Sequence, residues 1–221
     1  MKALITGGAG FIGSNIAKLL INKGYDVKVI DNLSTGYLMN IQNEIVNNKI
    51  EFLEGDILNQ ELLNKFMEGV DVVFHLAASV GRQRSIDNPQ LDSETNIIGT
   101  INVLEAMRKN DVGKIVYSSS AAMFGELISK TIDENHPQNA DTPYGVSKLA
   151  AEKMILAYHN IYPQINAVCL RYFNIYGINQ RFDVYGNVIP IFAKRIFSNE
   201  PITIYGDGNQ TRDFIFLEVC L

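Results

Sequence analysis

Cysteine is scarce in this chain. Cys169 and Cys220 are too few and too far apart in 221 residues for a disulfide framework, so reduced thiols in a cytoplasmic protein are expected. His75, His136 and His159 are isolated, and no cluster of His, Cys and carboxylates has metal-ligand spacing, so no metal site is expected. No apolar run is long enough to cross a bilayer, and the chain enters its first apolar run without a signal segment. Basic charge is also short. Nineteen Lys and Arg against 24 Asp and Glu give a net charge of −5, and no long basic run offers a nucleic-acid surface. Internal repeats and low-complexity segments are absent. What remains, 47% hydrophobic and 19% charged, fits a soluble α/β protein with a sizeable core, either one large domain or one domain plus part of another.

The organising stretch is Thr6 to Gly13, Thr-Gly-Gly-Ala-Gly-Phe-Ile-Gly. It follows a buried-strand pattern, Ala3-Leu4-Ile5, and leads into Ile12 to Asn22, whose Ile12, Ile16, Leu19 and Leu20 recur at helical spacing. Gly7, Gly10 and Gly13 then serve a tight turn, close approach of a pyrophosphate and close helix-strand packing. The helix N-terminus adds unpaired N–H donors and a positive dipole end. Such glycine spacing alone is weak, but a second strand, Val27 to Ile30, ends in Asp31, eighteen residues beyond Gly13. A dinucleotide fold places there the carboxylate that accepts from a ribose 2′-hydroxyl. Asp31 repels a 2′-phosphate, and no Arg follows it in Asn32-Leu33-Ser34-Thr35-Gly36, which favours NAD over NADP.

Further strands are expected at Ile50 to Leu53, Val72 to Phe74, Lys114 to Tyr117 and Ile165 to Leu170, with helices at Gln60 to Met67, Gln90 to Asn110 and Tyr144 to Asn160. Asp56 either accepts from the adenine amino group, with Ile57 on the ring, or closes a plain turn. The small residues of His75-Leu76-Ala77-Ala78 let a cofactor lie near the backbone at a strand's C-terminal end. Ser79 to Asn88 reads as a polar loop, whose Arg82 and Arg84 either touch a phosphate or are solvated. Ala121 to Thr142 is irregular. The regular alternation predicts one doubly wound parallel sheet (α/β, Rossmann) over residues 1–171. Residues 172–221 differ: Tyr172 to Tyr185 is rich in Asn, Gly, Tyr and Arg, and a helix from Val188 to Ser198 and two short strands, Ile202 to Tyr205 and Asp213 to Phe216, follow. This reads as the start of a smaller second lobe over the strand ends.

Tyr144 and Lys148 form an i, i+4 pair on one helix face. A tyrosine hydroxyl is a poor base near neutrality, and a nearby ammonium favours its phenolate. The pair alone is weak, since a core tyrosine beside a surface lysine is common. Ser120, just past the fifth strand, can meet both over the same sheet edge, and with the glycine loop the set becomes specific.

Together, Thr6 to Gly13, Asp31, His75-Leu76-Ala77-Ala78, Ser118-Ser119-Ser120, Tyr144-Gly145-Val146-Ser147-Lys148 and Arg171-Tyr172-Phe173-Asn174 resemble the extended short-chain dehydrogenase/reductases, most closely the nucleotide-sugar 4-epimerases. The resemblance covers essentially the whole chain. It implies that Tyr144 takes the proton of a sugar 4-hydroxyl, that Ser120 relays it, and that Lys148 tunes Tyr144 and binds the nicotinamide ribose. Hydride leaves C4 for NAD and returns to the other face of a transient 4-keto sugar. Phe11, Ile12, Asp56, Ile57, Leu76, Ala77, Ala78, Val80, Asn96 and Phe173 would line the cofactor, as would Gly7, Gly10, Gly13, Asn32, Ser34, Thr35, Gly36 and Ser118. Asn174, Asn187, Val188 and Arg212 would hold the nucleotide diphosphate, where a guanidinium suits both charge and geometry. The helices around Ile97 to Asn110 and Ser147 to Asn160 would pair subunits into a homodimer.

Within that resemblance, dehydratases carry an Asp-Glu acid pair just after the strand-five hydroxyl and decarboxylases a Glu. This chain has Ala121-Ala122, which favours epimerisation because that reaction loses no hydroxyl. Family members continue well beyond the region around Leu221, so the substrate lobe is expected to be incomplete. The reading is an NAD-dependent isomerase of UDP-glucose/galactose or the N-acetyl sugars. Its alternatives are another nucleotide-sugar reductase or dehydratase, or a catalytically impaired NAD-binding fragment.

Overall fold

A computed structural model describes residues 1–126, 128, 129, 131–183 and 186–220. Strand β1 (Lys2–Thr6), helix α1 (Phe11–Asn22) and strand β2 (Asp26–Asp31) open the chain. A single 3-10 turn (Leu38–Asn40) and short α2 (Gln42–Val46) lead to β3 (Ile50–Glu54), α3 (Gln60–Phe66) and β4 (Val72–His75). After α4 (Arg82–Asp87), one continuous helix comprises α5 (Pro89–Ser93), a π turn (Glu94–Ile98) and α6 (Gly99–Lys109). Strand β5 (Lys114–Ser120), a 3-10 turn (Ala121–Phe124), α7 (Pro143–Ile161) and β6 (Asn166–Tyr172) complete a six-stranded sheet.

The strand order is β3-β2-β1-β4-β5-β6 and every pairing is parallel. This is the doubly wound arrangement, and the order reverses between β1 and β4. Parallel strands need crossovers, so helices cover both faces and the strands read as apolar runs. β1 shows why. Leu4 joins a core with Val73, Ile115, Leu63, Leu104, Met107 and Ile155 on the α3, α6 and α7 side. Its neighbours Ala3 and Ile5 join Ile16, Leu20, Val27, Val29 and Ile41 on the opposite side, beneath α1. Alternation at period two thus feeds two cores from one strand.

Four expectations are corrected. The stretch read as a loop from Ser79 to Asn88 contains α4. The expected helix from Gln90 to Asn110 is interrupted by the π turn, which apolar spacing does not reveal. Ile202 to Tyr205 forms no strand, because no neighbour completes its hydrogen bonds. Instead Asn174–Tyr176 (β7), inside the Tyr172 to Tyr185 stretch where no strand was expected, pairs in parallel with Phe214–Phe216 (β8). Val184 and Tyr185, at the end of that stretch, lie outside the described residues. Helix α8 (Val188–Phe197) buries no residue, and α9 (Leu217–Cys220) follows β8.

Candidate active site

The site lies where the loops after β1 and β4 part. Gly7 has φ +72°, and a Cβ there would stand 2.6 Å from Ala77 N, so only glycine lets these loops touch. A Cβ on Gly13 would stand 2.3 Å from Gly7 O, so α1 rests directly on the loop. Helix α1 has no side-chain cap at Gly10, and Phe11, Ile12 and Gly13 line the cleft. Its first-turn N–H groups are therefore available to an anion. Asp31, at the end of β2, accepts Ala9 N at 2.9 Å and Leu33 N at 2.8 Å, which ties the glycine loop to β2 and stations a carboxylate on the cleft wall. Burial raises its pKa, and the two backbone hydrogen bonds oppose that rise. Asp56 sits nearby, accepting Asn32 Nδ2 at 2.7 Å and Leu58 N at 2.8 Å.

A directed chain of hydrogen bonds braces the floor. The Thr100 hydroxyl donates to Asn96 O at 2.6 Å, so it must accept from His75 Nε2 at 2.9 Å. His75 Nδ1 then accepts from the Thr6 hydroxyl at 2.7 Å, and Thr6 Oγ1 receives Leu76 N and Ala77 N, both at 3.2 Å. Full burial, with the Lys148 charge adding to it, lowers the His75 pKa to about 3, so the ring is neutral and its tautomer fixed.

The groups expected to react meet on the other wall. Thr142 caps α7 by accepting Gly145 N at 3.1 Å, and Pro143 takes the first turn, which sets Tyr144 at the helix entrance. Ser120 ends β5 and, with Tyr144 and Lys148, lines the same cleft as the glycine loop. Burial pushes the Tyr144 hydroxyl above its ordinary value, and hydrogen bonding with Ser120 pulls it back. Lys148 is 3% exposed, its Nζ 4.2 Å from the Tyr117 ring centroid, and burial lowers its pKa to about 7. Lower down, α7 is anchored by buried Glu152, which accepts Ser119 Oγ at 2.6 Å and pairs with Arg171 at 2.7 Å.

Most of the expected site residues come together. Gly7, Gly10, Phe11, Ile12, Gly13, Asp31, Asn32, Ser34, Thr35, Asp56, Ile57, Leu76, Ala77, Ala78, Val80, Ser118 and Phe173 share the cleft with the reacting trio and with Asn187. Gly36 does not line it; a Cβ there would stand 2.9 Å from the Ala9 backbone, so it packs behind the loop. Nor does Asn96, whose amide is consumed behind the wall: Oδ1 accepts Ser79 N at 2.8 Å, and Nδ2 donates to Ser79 O at 3.0 Å and Ser147 Oγ at 2.9 Å. Asn174 instead bonds Asp213 O at 3.0 Å, Val188 starts α8 at 42% exposure, and the exposed Arg212 donates to the neighbouring Thr211 O. These three belong to the β7–β8 and α8 region rather than to the cleft wall. Of the two arginines, Arg84 lines the cleft, whereas Arg82 is exposed and lies 3.9 Å from Asp141. Tyr37, Asn40, Thr95, Asn179 and Gln180 also line it and were not singled out, since nothing local in sequence marks them.

The "NAD dependent epimerase/dehydratase family" matches residues 3–218. A provisionally named UDP-glucose 4-epimerase of Methanocaldococcus jannaschii is 45% identical over 97% of this chain and 69% of its own length. Among solved structures, a UDP-N-acetylglucosamine 4-epimerase from Methanobrevibacter ruminantium in complex with UDP-N-acetylmuramic acid superposes with a TM-score of 0.93 at 34% identity, covering 98% of this chain and 69% of that one. A UDP-glucose 4-epimerase from Thermus thermophilus in complex with NAD gives 0.88 at 35% identity, covering 98% and 71%. With its dinucleotide cleft, its Ser-Tyr-Lys wall and these likenesses, the chain belongs to the NAD-dependent epimerase/dehydratase family.

Proposed function

We propose that this chain is an NAD-dependent nucleotide-sugar 4-epimerase, acting on UDP-glucose/galactose or on UDP-N-acetylhexosamines. The observation that carries this is the composition of one cleft. Ser120, Tyr144 and Lys148 share it with the glycine loop, and the only carboxylates on its wall, among the described residues, are Asp31 and Asp56 beside β2 and β3. The positions after Ser120 are Ala121 and Ala122, so no acid follows Ser120 to expel a hydroxyl. Relatives at similar identity whose names specify UDP-sugar 4-epimerases support the same reading.

The residues fit NAD. The uncapped N-terminus of α1 behind the glycine loop suits a pyrophosphate, and Asp31 suits an unphosphorylated ribose. When bound, NAD supplies a reversible hydride acceptor, so the sugar passes through a transient 4-keto form and the cofactor ends the cycle unchanged. Tyr144 takes the 4-hydroxyl proton with Ser120 as relay and later returns it. The Lys148 ammonium offsets the phenolate and holds the ribose. Residues 1–171 bind the cofactor and 172–221 begin the sugar-nucleotide lobe, with Asn174, Val188 and Arg212 reaching the diphosphate only as that lobe meets its ligand. Exposed Ile98, Val146 and Ile161 on the helices around α6 and α7 support a homodimer. The free thiols of Cys169 and Cys220 support a cytoplasmic location.

The test is incubation with NAD and UDP-galactose, with products resolved by chromatography. UDP-glucose is expected. A dehydrated product or a net change in NAD redox state would refute epimerisation. Absence of conversion of either hexose or N-acetyl sugars, with NADH bound normally, would show that the chain binds cofactor without turnover.

A further inference from the structure

Asp92, in α5, is fully buried and takes no part in the chemistry above. Its Oδ2 accepts the Ser147 hydroxyl at 2.5 Å, and its Oδ1 has no hydrogen-bond partner. Among the described residues it makes no ion pair. Lys148, the residue after Ser147, is also buried, and its Nζ makes neither ion pair nor hydrogen bond. An isolated buried charge is costly enough that such groups neutralise or pair.

The other groups around Lys148 are already committed. Glu152 on α7 is paired with Arg171. His75 on β4 is neutral, as its lowered pKa requires. Burial holds the Tyr117 hydroxyl on β5 and the Tyr144 hydroxyl on α7 above their ordinary values, and pushes the Cys169 thiol on β6 up to about 12, so all three are uncharged near neutrality. Asp92 remains as the available counter-charge. Burial raises its carboxyl, and the side chains of Ser147, Ser79 and Asn96 and the Lys148 charge oppose this. Of the charges acting on Lys148, Asp92 is foremost in resisting the loss of its proton.

The carboxylate also gives the network a direction. An ionised carboxylate only accepts, so Ser147 must donate to it and must accept from Asn96 Nδ2. Asn96, its Oδ1 accepting Ser79 N and its Nδ2 donating to Ser79 O, completes the link from Asp92 to the cleft wall. We propose that Asp92 is a positioning residue: it is the buried counter-charge of the Lys148 ammonium and the fixed acceptor that holds Ser147, and so braces the Ser147–Asn96–Ser79 link behind the cleft wall. Its place in function rests on the reading of Lys148 as cofactor ligand and partner of Tyr144.

The test titrates Lys148 directly, by NMR of the unliganded full chain labelled with 13C at lysine Cε and assigned with Lys148→Met. The wild-type resonance is expected to titrate near 7. In Asp92→Asn, which keeps an acceptor and removes the charge, the midpoint should fall by about one pH unit. In Ser147→Ala, which keeps the charge, it should hold. An unmoved midpoint in Asp92→Asn overturns the proposal and leaves Asp92 a structural residue. Should that variant not fold, the wild-type Asp92 carboxyl 13C shift carries the test: it must show an inflection at the Lys148 midpoint, and its absence overturns the pairing. NADH fluorescence titration at pH 7 completes the set, with affinity expected to fall several-fold in Asp92→Asn. If wild type binds no NADH while the Lys148 shift persists, the cofactor reading fails and the pairing stands.

Discussion

Helices α7 and α8 are both rich in apolar residues, yet packing treats them oppositely. α7 buries Gly145, Ser147, Lys148, Ala151, Glu152 and Ile155 against β5, β6 and α5, while α8 buries nothing and leaves Ile196 at 62% and Phe197 at 91% exposure. The difference shows what makes a helix functional here. Polar and charged groups on α7 are fixed because apolar neighbours and buried partners hold the backbone beneath them. α8 is only partly covered and leaves much of its apolar face exposed, so its sequence specifies a helix but not a site. An uncovered apolar face of this kind marks an interaction surface or an aggregation hazard.

The largest expected effect tests whether α7 holds chemistry as well as packing. Tyr144→Phe should cut epimerase turnover by about 10²- to 10⁴-fold, the usual worth of general acid–base catalysis, while the thermal melting midpoint stays put. A parallel fall in melting midpoint would mean that the hydroxyl serves the fold. Next, Leu104→Ala, at a fully buried position beside α7 in the core, should destabilise by about 2–5 kcal/mol in urea unfolding. A cost below about 1 kcal/mol would show that this core is no tighter than the region around α8.

The third prediction concerns pH. Lys148 has a folded pKa of about 7 against the ordinary 10.5, so between those values the unfolded chain holds a proton that the folded chain lacks. Unfolding therefore becomes harder as pH rises through this window, by about 1.4 kcal/mol per pH unit from this group, and below 7 the contribution is flat. The stability difference between wild type and Lys148→Met in urea from pH 6.5 to 9.5 should carry this slope, since groups such as Cys169 contribute alike to both. The smallest effect sharpens the other side of the comparison. Phe197→Ser on α8 should change stability by no more than about 0.5 kcal/mol while raising solubility, as judged by light scattering. A loss like that at Leu104 would show that α8 is covered after all.

The same contrast governs what could be read from sequence. The glycine loop, Asp31 and the Tyr144–Lys148 pair were legible because their chemistry depends on local spacing, which the chain carries within a few residues. β7 was missed and a strand at Ile202 to Tyr205 was wrongly expected, because a strand exists only where another supplies hydrogen bonds; Phe214 to Phe216 does so for Asn174 to Tyr176. Asn96 was found for the wrong reason. Its position by the cofactor wall was anticipated, but the π turn that sends its amide behind the wall leaves no apolar signature. Arg212 satisfied a charge argument, yet charge alone does not say where a loop goes.

The neutral ring of His75 has a physiological consequence. Histidine is the side chain that ordinarily changes charge as a cell's interior acidifies or recovers. Here that residue is taken out of service as a sensor: enclosed between two hydroxyls whose protons are already assigned, it crosses the range from mildly acid to mildly alkaline pH without changing state. The junction of β1 and β4 is thereby insulated from mild acid, and on the proposed mechanism a response of catalysis to pH passes to Tyr144 and Lys148.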